Sequence, residues 1–180
     1  MKVFIFLADG FEEIEAIAPI DIFRRAGIEV FTISITNEKP VRGAHNIIVS
    51  ADQLFQEVDF SVNDLLYLPG GMPGTKNLDA HEGLKKLIVK QAGEKKRIAA
   101  ICAAPSILGK LGLLQGKEAI CFPGFEDQLE GAILSNDKIV QSGFISTAKG
   151  AGVAVQFAIK LVEVLKGKSI SEQIASSICI

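Results

Sequence analysis

Residues 3–7, Val-Phe-Ile-Phe-Leu, form an unbroken apolar run closed by Asp9-Gly10, the pattern of a strand buried on both faces. Phe11, Ile14, Ala18 and Ile22 then recur at helical spacing up to Ala26-Gly27, where the glycine predicts a stop. Ile28–Ile35 reads as a second strand, and β-branched Ile47, Ile48 and Val49 follow a turn at Arg42-Gly43. Leu65–Leu68 is another short apolar strand, broken by Pro69-Gly70-Gly71. A helix over His81–Gln91 leads through Gly93 to a strand at Ile98–Ile101, and helical spacing resumes after Cys102 to about Leu111. Short strands are expected at Glu118–Phe122, Ala132–Leu134 and Ile139–Gln141. Helices are expected at Gly152–Lys166 and Ser169–Ser176.

Strands alternating with helices imply an α/β fold with a mostly parallel sheet covered on both faces. At 180 residues, with no repeat, linker or low-complexity stretch, the chain reads as one domain over residues 1–180. A chain of this size buries roughly 70% of its unfolded surface, enough for one sizeable core.

The formal charge of −2 argues against nucleic-acid binding, which needs clustered Lys and Arg. Lys95-Lys96-Arg97 reads instead as a solvated helix end. Acidic Asp9, Glu12, Glu13 and Glu15 follow the first apolar run at once, so neither a signal peptide nor a membrane span is expected, and a cytoplasmic location is the default. The 3 cysteines, without close spacing, suggest free thiols rather than a disulfide framework or a metal site.

One of those thiols stands apart. In Arg97-Ile-Ala-Ala-Ile-Cys-Ala-Ala-Pro-Ser106 an apolar strand ends at Cys102, and Pro105 suits the first turn of a following helix. Such an elbow presents Cys102 at the carboxyl edge of the sheet, where open α/β folds bind ligands. Unpaired amides and a helix dipole there are expected to lower its pKa. The alternative is a small core residue, since free cysteine is often buried. Cys121 and Cys179 have no such elbow.

Glu15 falls inside the apolar stripe of the first predicted helix, so its carboxylate is expected to face the core with a raised pKa. Protonated near neutrality, it could donate to a thiolate or exchange protons with a substrate. Glu12 and Glu13 read as ordinary first-turn acids. The pairing of Glu15 with Cys102 follows if the first strand and the strand ending at Cys102 are neighbours in the sheet. Glycines at 70, 71 and 74 allow a close backbone approach, so amides of Gly71 and Met72 could join that of Ala103 in an oxyanion hole. A plain tight turn is the alternative. No phosphate-loop pattern is present, and neither His45 nor His81 lies beside a cysteine in sequence, which leaves a papain-like hydrolase without a base.

These motifs resemble the ThiJ/PfpI superfamily, in the branch of the parkinsonism-associated deglycase and its bacterial relatives. Ala8-Asp-Gly-Phe-Glu-Glu-Ile-Glu15, Arg24-Arg-Ala-Gly-Ile28, Leu68-Pro-Gly-Gly71, Ala99-Ala-Ile-Cys-Ala-Ala-Pro105 and Lys149-Gly-Ala-Gly152 carry the likeness along nearly the whole chain. The resemblance implies a flavodoxin-like three-layer sandwich, a homodimer, a nucleophilic Cys102 hydrogen-bonded to a protonated Glu15, and Gly71 as an oxyanion donor. It also implies glyoxalase or deglycase activity on methylglyoxal-type carbonyls without metal or cofactor. Basic groups near the pocket are implied at Arg25 and, across the dimer interface, at His45, which stands where relatives have Arg. Phe122 replaces the histidine some members place near the cysteine, and Ala103 replaces the histidine of the protease branch.

The leading expectation is therefore a carbonyl enzyme acting on a small 2-oxoaldehyde through the Cys102 thiolate. A redox-sensing stress protein or chaperone, whose cysteine oxidises to sulfinate without turnover, is the second reading. A cysteine hydrolase, with His45 as its only candidate base, is a distant third.

Overall fold

The structure is a computed structural model that describes residues 1–180. In chain order its elements are β1 (Lys2–Leu7), α1 (Glu13–Arg25), β2 (Glu29–Ser34), β3 (Pro40–Arg42), β4 (Ile48–Ser50) and β5 (Gln53–Leu54). There follow β6 (Leu65–Leu68), α2 (Gly74–Ala80), α3 (Glu82–Gly93), β7 (Arg97–Ile101) and α4 (Pro105–Lys110). The chain ends with β8 (Glu118–Ala119), β9 (Ile133–Leu134), β10 (Ile139–Ser142), β11 (Ile145–Ala148), α5 (Ala154–Lys166) and α6 (Lys168–Ser177).

Seven strands form the central sheet in the order β10-β11-β7-β6-β1-β2-β5. All its pairings are parallel except β10 with β11. This is the flavodoxin-like α/β sandwich implied by the resemblance. Alternate side chains of each strand feed two separate cores. Val3, Ile5, Leu7, Tyr67 and Ile101 pack beneath Phe23 of α1 and Phe157, Leu161 and Val162 of α5. Phe4, Phe6, Leu66, Leu68 and Ile98 pack against Leu84 and Ile88 of α3 and Ile107 and Leu108 of α4. Both faces are therefore apolar, which is why β1 and β6 read as unbroken hydrophobic runs.

Several expectations need correction. β6 lies between β1 and β7, so the strand ending at Cys102 is not the neighbour of β1. The strand expected over 118–122 stops at Ala119, and Cys121 is buried in a loop. Within α1, Ile14 is 55% exposed; the buried stripe runs instead through Glu15, Pro19, Ile22 and Phe23. His81, at the start of the expected helix, is half-buried: its Nδ1 accepts from Leu84 N–H at 3.0 Å as the N-cap of α3, and its ring packs on Phe55.

Two elements carry too little apolar signal to be read from sequence. β11 is Ile-Ser-Thr-Ala, yet Ser146 and Thr147 are buried, and Thr147 Oγ1 accepts from Ile120 N–H at 3.0 Å. α2 is polar along most of its length and buries only Gly74, Thr75 and Leu78. No helix is long and apolar enough to cross a membrane.

Candidate active site

Cys102 directly follows β7 with φ of 64°, a left-handed conformation that an L residue adopts at a cost. Two backbone bonds hold it there. Its N–H donates to Ala148 C=O at 2.9 Å, and its C=O accepts from Phe122 N–H at 2.8 Å. The elbow is thus clamped between the end of β11 and the segment after β8.

Glu15 sits in the first turn of α1, wholly buried. It reaches the elbow although a strand intervenes, because the Pro69-Gly70-Gly71 turn carries no side chain in the way. Gly70 N–H donates to Glu15 Oε2 at 2.9 Å. A Cβ at Gly70 would lie 2.7 Å from both Cys102 Cβ and Glu15 Oε2, so only glycine lets thiol and carboxyl meet. Gly71 has φ of 92°, and any Cβ there would strike the backbone of Glu12 at 2.3 Å. Tyr67 fixes the helix from beneath by donating its hydroxyl to Glu15 C=O at 3.0 Å.

Burial pushes the Glu15 carboxyl from its ordinary 4.5 up to about 7, against the opposing influence of the Gly70 amide and the Cys102 thiol. Glu15 Oε1 completes no hydrogen bond. Burial and the neighbouring Glu15 charge push the Cys102 thiol up to about 12, and the Gly71 and Ala103 amides only partly offset them. This reverses the lowered thiol expected from the elbow alone. α4 has only 6 residues, so its dipole is small, while the carboxylate is adjacent. The pair therefore holds its proton at neutral pH and can pass it from one partner to the other.

The other candidates are placed differently. The amides acting on the thiol are those of Gly71 and Ala103. Met72 lies one residue beyond, 40% exposed, ahead of a cis bond to Pro73. Arg25 occupies the far end of α1 from Glu15 and pairs with Asp21 at 2.6 Å, so within one chain it does not reach the thiol.

His45 joins a cluster the sequence reading missed. Glu13 is buried, not an ordinary surface acid; its Oε1 accepts from His45 N–H at 2.7 Å and its Oε2 lies 2.9 Å from His45 Nδ1. Burial alone would raise the Glu13 pKa, but the hydrogen bonds from His45 and Ile47 hold it below the usual range, and His45 is raised in turn by Glu13. Glu12, Glu13 and His45 bring potential ligand atoms within 4.8 Å of one another, but internal hydrogen bonds already occupy Glu13. The cue in the sequence was Gly43: a Cβ there would strike the Glu13 carboxylate.

The chain as a whole is similar to known proteins. Protein DJ-1 homolog B of Arabidopsis thaliana is 40% identical over 169 residues, which cover 93% of this chain and 39% of that protein. The chain thus spans well under half the length of that relative. A protein of Caenorhabditis elegans named as a glutathione-independent glyoxalase is 29% identical over 94% of this chain and 90% of its own length. One of Pyrococcus abyssi named as a deglycase is 33% identical over 73% of this chain and 78% of its own. The solved structure of oxidized Toxoplasma gondii DJ-1 superposes with a TM-score of 0.95 at 37% identity, covering 99% of this chain and 97% of that one. Residues 1–164 match the model of the DJ-1/PfpI family, and the chain belongs to that family.

Proposed function

We propose that the protein is a cofactor-independent glyoxalase or deglycase acting on small 2-oxoaldehydes, with Cys102 as nucleophile and Glu15 as its proton-transfer partner. The observation carrying this reading is the wholly buried Glu15 carboxyl, raised to about 7 and set against the thiol. A group with that pKa exchanges protons efficiently near neutrality. The names of the nematode and archaeal relatives point to the same chemistry.

In the proposed sequence Cys102 adds to the aldehyde carbon as its proton passes to Glu15, forming a hemithioacetal. The Gly71 and Ala103 amides face the sulfur and stabilise the oxygen that gains charge. Glu15 returns its proton to that oxygen, then takes the proton from the former aldehyde carbon and delivers it to the adjacent carbonyl carbon while the hydroxyl proton shifts to the neighbouring oxygen, leaving a 2-hydroxy thioester. Water cleaves the thioester to a 2-hydroxy acid and returns the thiol. Incubation with methylglyoxal should yield lactate, and wild-type turnover no greater than that of Cys102→Ser would refute the reading.

A stress-sensing role is the second reading, favoured by the half-exposed Cys102 with two amides at its sulfur, positions from which they could bind sulfinate oxygens. For the assembly, a homodimer is the natural cover for Ile14, Ile17, Ile47 and Ile48, which α1 and the β3–β4 hairpin leave exposed.

A further inference from the structure

Asp9, Glu12, Glu13 and Glu15 crowd the turn into α1, and the groups opposite them decide how each charge is met. Glu13 is answered in full: its Oε1 accepts from the N–H groups of His45 and Ile47 at 2.7 and 3.4 Å, and its Oε2 lies 2.9 Å from His45 Nδ1. Asp9 Oδ1 accepts the Arg42 N–H at 2.9 Å. Glu12 is met less closely. Its side chain is only 18% exposed, and its carboxylate faces one cationic group, His45 Nδ1, at 3.6 Å.

Glu12 is also tied to the thiol site. It stands three residues before Glu15, a spacing that sets side chains near one another where a helix begins. Glu12 N–H donates to Gly70 C=O at 2.9 Å, and Gly70 N–H donates to Glu15 Oε2 at 2.9 Å. One glycine therefore holds both acids. The Glu12 charge pushes up the pKa of Glu15 and of His45 alike. The other titratable groups facing Glu15 are the Cys102 thiol and, from β6 beneath, the Tyr67 hydroxyl, neither of which offers a positive charge.

His45 has two separable duties at this cluster. Its backbone N–H and ring anchor Glu13, and a neutral ring with its proton on Nδ1 keeps that anchor. Only the charge turned toward Glu12 comes and goes with the second ring proton. The His45 side chain is 67% exposed and follows the pH of the solution. Its hydrogen bond to Glu13, and then the charges of Glu12 and Glu13, raise its pKa above the ordinary 6.5, toward the value of about 7 at Glu15. The two groups therefore titrate in one pH range and influence each other.

We infer that His45 is a positioning residue for the proton transfer: its protonated ring holds the Glu12 carboxylate toward the β3–β4 hairpin, offsets its charge, and so sets how readily Glu15 gives up its proton. The inference rests on the reading of Glu15 as proton-transfer partner of Cys102. While His45 is charged, Glu15 ionises at lower pH. Once His45 loses its proton, Glu12 stands uncompensated beside Glu15, which then keeps its proton to higher pH. The two titrations oppose each other, so the wild-type Glu15 changes charge over a broader pH range than a lone carboxyl.

The test does not depend on turnover. Carbon-13 NMR of the Glu15 carboxyl follows its titration directly. His45→Arg, a permanent cation, should move the midpoint below that of His45→Gln by about half a pH unit, with wild type between them. Concentrated salt should shrink this gap by screening. Glu12→Gln should lower the midpoint by itself and at least halve the gap between Arg and Gln at position 45. The pH profile of kcat/KM for methylglyoxal should move in the same directions. A purely structural His45 would give both variants lower melting temperatures and a common Glu15 midpoint, and that result overturns the inference. So does a gap undiminished by Glu12→Gln. Midpoints that separate as expected, in a protein that consumes no methylglyoxal, sustain the link between His45 and Glu15 and remove the reaction.

Discussion

Gly70 donates its amide to Glu15 Oε2 at 2.9 Å while the space where its side chain would be is filled by Cys102 Cβ and the same carboxyl oxygen. One residue therefore both orients the acid and permits its approach to the thiol. Gly70→Ala should force that approach apart, with a stability loss of about 1–3 kcal/mol, the usual range for overpacking. Methylglyoxal turnover should fall at least tenfold, and urea melts beside kinetics separate the two effects.

The raised Glu15 pKa makes folding stability depend on pH. Between about 4.5 and 7 the folded carboxyl keeps a proton that the unfolded chain releases, so the native state binds more protons and stability falls as pH rises. A shift of that size corresponds to about 3 kcal/mol between the ends of the window. Glu15→Gln should lose this slope and be more stable than wild type above pH 7. Denaturant melts at pH 5 and pH 8 check both statements.

Thiol titration reports on the same pair from the other side. Because burial and then the Glu15 charge raise Cys102, its alkylation rate should still be climbing at pH 9, and Glu15→Gln should lower the pKa and speed the reaction. A slower reaction in Glu15→Gln would instead identify the glutamate as a proton donor to the thiolate.

Tyr67→Phe removes only the hydroxyl that holds Glu15 C=O at 3.0 Å. The loss should be about 1–3 kcal/mol, since it leaves a buried carbonyl unpaired. Because α1 then loosens above the sheet, turnover should fall more than substrate affinity. Calorimetry and separate kcat and KM values distinguish these outcomes.

What the sequence made legible follows from burial. β1 and β6 are covered on both faces and carry unbroken apolar runs, so their limits could be read to within a residue. β11 pairs with β7 in the middle of the site, but its buried Ser146 and Thr147 look like loop residues until Thr147 meets Ile120. Cys102 and Glu15 were readable because one stood at a strand end before a proline and the other interrupted a helical stripe. The reason they meet was not the expected adjacency of strands but the missing side chain at Gly70, which no periodicity reveals. The direction of the thiol shift was also hidden, since it depends on burial of the elbow and then on a charge 87 residues away in sequence. Glu13 was misread for a similar reason: its partner His45 comes from a distant turn.

The clamp on Cys102 has a consequence for biosynthesis. The Cys102 amide is held by Ala148, and β11 can join β7 only after the ribosome has released more than three quarters of the chain. Until then the Cys102 amide at the strained elbow has no partner. A nascent or truncated chain ending before β11 therefore holds the elbow by one of its two backbone bonds only.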